Sequence, residues 1–177
     1  MHFDWPPDTA ELNVEQRAGA PWVAVTSRAA IPLAAPLSSG YRITRTVTPI
    51  EPRQPGRLSR GDRLRVRLDV EAQAFMTWVV FDDPIPGGAS HLGTGLARDS
   101  QLASGASRDV WTPDFVERRF DAWRGSFRWL PKGTTSVEYD IRLNQDGRFE
   151  LPPTRVEALY APEMFGELPN AAVEVAR

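Results

Sequence analysis

Strict alternation between apolar and charged side chains constrains the fold of this chain more than any other feature. Within Asp62–Val70, the apolar residues Leu64, Val66, Leu68 and Val70 alternate with the charged residues Arg63, Arg65, Arg67 and Asp69. The segment from Ser136 to Leu143 repeats this period of two. Such a period is typical of a strand with one buried and one exposed face. The two segments therefore predict a half-buried β-sheet.

Other segments rich in β-branched and aromatic residues predict further strands. They are Trp22–Arg28, Tyr41–Val47, Phe75–Phe81, Phe120–Leu130 and Ala172–Ala176. Because Phe75–Phe81 is nearly all apolar, we expect it to be a central strand buried on both faces. Asn144–Gly147 predicts a turn that joins the second alternating segment to Arg148–Leu151 in a hairpin. A helical period is weak everywhere, and the best candidate is a short piece at Pro113–Arg119.

Many short strands separated by Pro and Gly predict an all-β fold, an antiparallel β-sandwich with long loops and at most a short helix. The 177 residues fit one such domain, for which we predict the bounds 21–177, preceded by an arm or linker at residues 1–20. The polar, Gly- and Ser-rich stretch from Ser90 to Asp114 predicts a long exposed loop.

Composition excludes several classes of function. The net charge is −2, with 21 basic and 23 acidic residues interspersed, so no basic face for nucleic acid is indicated. The absence of cysteine excludes disulfides, thiolate metal sites and a cysteine nucleophile. No apolar run approaches the roughly 18 residues that span a bilayer, and the first residues carry no export signal. We therefore expect no membrane insertion, and either a cytoplasmic protein or a piece of a longer exported one.

Residues for catalysis are sparse. His2 and His91 are the only histidines, so a catalytic triad or a histidine metal site would depend on His91, which is more simply a polar loop residue. Asp82 and Asp83 point to opposite faces if they lie on a strand, and Pro84 follows them, which favours a solvated strand end. The sequence therefore predicts no enzyme, no cofactor and no metal site.

An apolar, proline-rich segment, LPPTRVEALYAPEMFGELPN, occupies residues 151–170. Pro152 and Pro153 fix φ and supply no N–H donors, so we expect the chain to leave the sheet there as an extended loop, stiffened further by Pro162. Five of the large apolar side chains that follow the proline pair need a surface to cover. They are Val156, Leu159, Tyr160, Met164 and Phe165. They either pack over the end of their own sandwich or form a plug for another domain.

The stretch WLPKGTTSVEYDIRLNQDGRFELPPTRVEALYAPEMFGELPN, residues 129–170, resembles the last macroglobulin-like domain of bacterial α2-macroglobulins. Segments that begin at Trp22, Gly40 and Phe75 fit the same family in the same order, so the resemblance covers roughly residues 20–177. It implies a macroglobulin or fibronectin-III-like sandwich. It also implies that the full-length protein is a periplasmic, lipid-anchored inhibitor that traps endopeptidases and is built from many domains.

The resemblance further implies how such an inhibitor works. A bait region is cut, and a lysine of the protease attacks a Cys-Gln thioester in another domain. The C-terminal domain is not an enzyme. Its loop after the Pro-Pro pair carries an aromatic residue, usually preceded by Met, that lies against the thioester and keeps water away. These positions match Leu159 and Tyr160, in a lock loop at residues 152–166, with Leu in place of the usual Met.

The partners that the resemblance implies are the other domains of the same polypeptide, above all the thioester domain, and the target proteases of the full-length inhibitor. A different class of function remains open on the residues alone. The chain would then be a stand-alone extracellular binding module, an adhesin or a carbohydrate-binding sandwich that uses Trp111, Trp123 or Trp129.

Overall fold

The computed structural model describes residues 11–15, 17–19, 22–26, 32–93 and 111–177. Contacts divide the chain into two units, Met1–Ile31 and Pro32–Arg177. The described residues of the first unit contain no strand, so the strand predicted at Trp22–Arg28 is wrong for residues 22–26. Most of the predicted arm at residues 1–20 lies outside the described residues, as do residues 94–110 of the predicted long loop.

All regular structure in the described part of the second unit is β-strand. The strands are β1 (Leu37–Ser39), β2 (Tyr41–Glu51), β3 (Arg63–Ala72), β4 (Met76–Pro84), β5 (Ser90–His91), β6 (Phe115–Arg118), β7 (Ala122–Leu130), β8 (Gly133–Arg142), β9 (Gly147–Phe149), β10 (Thr154–Ala158), β11 (Ala161–Leu168) and β12 (Val173–Val175). Across the described ranges, no helix is long and apolar enough to cross a membrane.

The strands form the predicted antiparallel β-sandwich. One sheet has the order β1-β11-β10-β4-β7-β6, the second has the order β2-β3-β8-β5, and β12 pairs with β9 in a small third sheet. A single buried cluster draws most of its apolar side chains from the two larger sheets. The alternating segments behave as predicted, because Leu64, Val66, Leu68 and Val70 on β3 are all buried, whereas the charged residues between them are partly exposed.

Two predictions of local structure are wrong. The helix predicted at Pro113–Arg119 is the edge strand β6, which pairs with β7 from Phe115↔Ser126 to Arg118↔Trp123. The hairpin predicted after β8 does not form either. Strand β8 is paired on one side with β3 and on the other, at its C-terminal end, with β5. The N–H of Leu143, just after β8, donates to the Asp62 carbonyl oxygen. Strand β9 therefore finds no free edge on β8 and pairs with β12.

Strand β4 is central in its sheet, between β10 and β7, but it is not buried on both faces as predicted. Val79 and Phe81 are fully buried, whereas Phe75, just before the strand, and Trp78, within it, are exposed. The apolar run thus includes two aromatic side chains that lie outside the core.

Candidate functional site

The proline-rich segment is a β-hairpin rather than an extended loop that leaves the sheet. Pro152 and Pro153 precede β10, which is paired with β4 along one edge and with β11 along the other. Strand β10 begins at Thr154, directly after the two prolines. From there, backbone pairing on both sides keeps the chain in the sheet. Pro162 lies inside β11, in the part that is out of register with β10.

The five predicted contact residues differ in how much of their surface is exposed. Val156 is a core residue with no exposed surface, so the expectation that it contacts another domain is corrected. Met164 is half-buried and packs against the core beside Gly40. Phe165 is half-buried on the outer face, where the Arg155 guanidinium carbon lies 5.1 Å from its ring centroid. Leu159 and Tyr160 form the turn of the hairpin and are 53% and 79% exposed.

The exposed turn is fastened to its neighbours. The Leu159 N–H donates to the Trp78 carbonyl oxygen over 2.9 Å, which continues the β10–β4 ladder past the end of β10. The pairing of β10 with β11 slips between Glu157 and Ala158, and the Ser39 hydroxyl donates to the Glu163 carbonyl oxygen over 2.7 Å in the displaced part. The turn is therefore held by hydrogen bonds to the backbone on both flanks, one from the Leu159 N–H to Trp78 and one from the Ser39 hydroxyl to Glu163.

Trp78 adds a side-chain contact to this turn. Its ring meets the ring of Tyr160 edge to face, with centroids 6.2 Å apart and planes at 86°. The sequence did not single out Trp78, because its apolar neighbours in Phe75–Phe81 indicated a buried strand. The candidate site, which we call the aromatic tip, thus consists of Trp78, Leu159 and Tyr160.

A buried polar cluster anchors the base of the hairpin. The Asp83 carboxylate accepts hydrogen bonds from Arg45 Nε at 2.9 and 3.1 Å, and also from the hydroxyls of Tyr139 and Thr154. Burial and the Asp83 carboxylate raise the pKa of the Tyr139 phenol well above its usual value. Thr154 is the first residue of β10, so this cluster ties the hairpin to both sheets.

The loops on either side of the hairpin join the same cluster. The Asn170 side-chain amide donates to the Pro152 carbonyl oxygen over 2.8 Å and to the Thr154 hydroxyl over 3.0 Å. Asp82 and Asp83 do point to opposite faces, and Asp82 pairs with Arg124 on the outer face. The expectation of a solvated strand end is wrong for Asp83, because its side chain is fully buried.

His91 lies on β5, and its side chain contacts backbone groups of the domain itself. Its Nε2 lies 3.0 Å from the Arg119 carbonyl oxygen and 3.2 Å from that of Ala122, so this nitrogen carries the proton and donates. Burial lowers the pKa of the imidazole and so favours its neutral form. Among the described residues, no three His, Asp or Glu side chains gather in an arrangement that could hold a metal ion.

The tryptophans considered for carbohydrate binding do not form a flat platform. Trp123 is buried and stacks on Tyr139, with centroids 5.0 Å apart and planes at 3°. Trp111 and Trp129 are more exposed, but they meet edge to face at 83° with centroids 5.4 Å apart. These two rings therefore offer no common plane on which one sugar could stack against both.

Comparison with known proteins places these features in a family. Residues 40–163 match the model of the bacterial alpha-2-macroglobulin MG10 domain. Among curated proteins, no sequence matches this chain.

Solved structures share the fold. Native α2-macroglobulin from Escherichia coli, from domain MG7 to the C-terminus, matches with a TM-score of 0.68 and 18% identity over 82% of this chain and 25% of that one. The elastase-activated E. coli protein gives a TM-score of 0.68 and 18% identity over 81% of this chain and 14% of that one. Salmonella α2-macroglobulin reacted with methylamine gives 0.65 and 20%, over 80% of this chain and 10% of that one.

The chain therefore spans between a tenth and a quarter of the length of these structural relatives. The family match covers more than two thirds of its residues, including β2 to β10 and the aromatic tip. This chain belongs to the bacterial α2-macroglobulin MG10 domain family.

Proposed function

We propose that this chain serves as the C-terminal macroglobulin-like domain of a bacterial inhibitor of endopeptidases. In this proposal the aromatic tip docks on a thioester domain of the same polypeptide and keeps water from the thioester until a protease cuts the bait region. The full-length inhibitor is then periplasmic and lipid-anchored, and the chain is not an enzyme. The relative activated by porcine elastase supports a role in the response to proteases.

The observation that carries this proposal is the exposure of Tyr160 on a firmly held turn. Its side chain is 79% exposed, although the backbone beside it is hydrogen-bonded to β4. A large ring that the domain itself does not bury is suited to cover a site on a neighbouring domain. Leu159 adds an aliphatic side chain next to it, so the pair presents a water-excluding surface.

A thioester persists in water only where nucleophiles are excluded, and a flat aromatic ring excludes them over a large area with few rotamers to fix. Leu in place of Met keeps a similar volume and apolarity, so shielding is retained. Release then requires only that the domain move as a rigid body away from the thioester domain. The hairpin itself need not unfold.

The test uses the full-length inhibitor with Tyr160→Ala. We expect faster spontaneous release of the thioester thiol, followed with a thiol reagent in the absence of protease. Tyr160→Phe is the matched control, because it keeps the ring and should release the thiol at the wild-type rate. Equal rates for Tyr160→Ala and the wild type would remove the shielding role.

The alternative, an extracellular carbohydrate-binding module, makes a different prediction. A sugar that stacks on Trp111 or Trp129 would change tryptophan fluorescence during a glycan titration. Shielding of a thioester predicts no such change. The edge-to-face arrangement of these two rings gives the alternative no geometric support.

A further inference from the structure

Trp78 has an unusual backbone for a residue inside a strand. Its φ is +56°, in the left-handed region, and among the described residues that are not glycine only Trp78 has a positive φ. The residues on either side remain in the ladder with β7, as Thr77↔Trp129 and Val79↔Phe127. A positive φ is uncommon for a bulky side chain, so a local interaction must hold it.

Core packing does not supply that interaction. Trp78 is 48% exposed, whereas Val79 beside it is fully buried. The contacts that Trp78 does make lead to the turn of the β10–β11 hairpin. Its carbonyl oxygen accepts the Leu159 N–H, and the edge contact between its ring and that of Tyr160 closes the aromatic tip.

We propose that Trp78 is a positioning residue for Tyr160. The left-handed backbone presents its ring to Tyr160, and the edge-to-face contact selects one orientation of a side chain that would otherwise rotate freely. This inference rests on the proposed function, because a fixed orientation matters when Tyr160 must cover a site on another domain. Side-chain ordering then precedes docking and does not oppose it.

The size of the effect follows from the rotamers. An exposed tyrosine without a neighbour samples three staggered χ1 wells, so the shielding orientation would fall to about one third of the population. Loss of Trp78 should therefore weaken shielding by less than loss of the Tyr160 ring. In the full-length inhibitor, the rate of thiol release should be lowest in the wild type, higher in Trp78→Gly and highest in Tyr160→Ala.

The positioning itself is measured on this chain by NMR. Trp78→Gly removes the ring but allows the backbone its positive φ, so the domain should remain folded. The ring protons of Tyr160 should then move to the shifts of a freely rotating tyrosine. Trp78→Phe keeps an aromatic edge and should retain most of the wild-type shifts. Trp129→Ala is the matched control, since Trp129 is equally exposed at 49% and should leave them unchanged.

Each outcome of this measurement decides the proposal. If Trp78→Gly leaves the Tyr160 shifts at their wild-type values, Trp78 does not orient Tyr160 and the proposal is overturned. If Trp78→Gly unfolds the domain, Trp78 has a structural role and the proposal is overturned as well. Free rotation of Tyr160 in a folded Trp78→Gly domain supports it.

Thiol release separates this inference from the proposed function. Since Trp78 acts through Tyr160, the double variant Trp78→Gly/Tyr160→Ala should release the thiol no faster than Tyr160→Ala alone. Faster release in Tyr160→Ala but not in Trp78→Gly would overturn the positioning role and leave the proposed function standing. No faster release in Tyr160→Ala, with the NMR change present in Trp78→Gly, would overturn the proposed function and leave the positioning standing.

Discussion

Arg45 and Asp83 form an ion pair inside the sandwich, with Arg45 Nε 2.9 Å from the nearer carboxylate oxygen. Arg45 lies on β2 of the four-stranded sheet and Asp83 on β4 of the six-stranded sheet, so the pair joins the two sheets. The Asp83 side chain is fully buried, and hydroxyls of Tyr139 and Thr154 complete its hydrogen bonds. The base of the hairpin therefore contains a buried carboxylate whose charge is balanced by Arg45.

We expect Arg45→Met to lower the free energy of unfolding by about 3–5 kcal/mol, because it leaves the Asp83 carboxylate buried without a counter-charge. Urea unfolding of this chain measures the change. Arg42→Met is the matched control on the same strand, since Arg42 makes only an exposed pair with Glu71, and it should change stability by less than about 0.5 kcal/mol.

Adding Asp83→Asn to Arg45→Met should recover part of the loss, because no charge then remains buried. If Arg45→Met is as mild as Arg42→Met, the buried pair does not hold the sheets together.

Val156 and Leu159 of the hairpin should contribute differently to the stability of the domain, because Val156 lies in the core and Leu159 at the surface. Val156→Ala is expected to cost about 2 kcal/mol, because it removes two buried methyl groups and leaves a cavity. Leu159→Ala should change the stability of this chain by less than about 0.5 kcal/mol, since its side chain is about half exposed at the turn. Equal losses in urea unfolding would show that Leu159 also supports the domain's own core.

Gly166 on β11 should tolerate no side chain. A Cβ atom at this position would lie 2.7 Å from the Tyr41 carbonyl oxygen, which is backbone and cannot rotate away. We expect Gly166→Ala to destabilise the domain by about 1–3 kcal/mol in thermal or urea unfolding.

Gly87→Ala is the control for this prediction, because the nearest atom to its Cβ would be Phe149 Cδ1 at an ordinary 3.4 Å. A Gly166→Ala domain as stable as the Gly87→Ala domain would contradict the close approach of β11 to β2.

The pH dependence of stability should include His91. Burial lowers the pKa of its imidazole in the folded state below the usual 6.5, although hydrogen bonds to the Arg119 and Ala122 carbonyls oppose this in part. The unfolded chain then binds the proton at a higher pH than the folded chain, so the free energy of unfolding should fall as the pH drops from about 7 to about 5.5.

His91→Gln should reduce that fall, because its neutral side chain takes up no proton in either state. Urea unfolding at several pH values compares the two proteins. The same pH dependence in both would show that another group is responsible.

The parts of the fold that a period of two controls were predictable from the sequence. The sandwich and the buried faces of β3 and β8 follow from alternation, which depends only on neighbouring residues. The hairpin predicted after β8 failed because both edges of β8 are taken by β3 and β5, which are distant in sequence. Local turn signals carry no information about such competition between strands.

The candidate site was predicted in part. Leu159 and Tyr160 were found through the family resemblance, and the structure places both at an exposed turn. Val156 was included wrongly, because an expected loop hid the alternation that buries it in β10. Trp78 was missed, since its backbone conformation and its contact with Tyr160 arise only when β4 and β10 pair.

Shielding of the thioester by the aromatic tip is tested most directly by a photo-crosslink from position 160 in the full-length inhibitor. A photoreactive phenylalanine analogue in place of Tyr160 should crosslink to the peptide that carries the thioester before protease is added. After bait cleavage the crosslink should be lost, because the domain has moved away. A crosslink confined to residues of this domain, or one unchanged by cleavage, would contradict the claim that the aromatic tip shields the thioester.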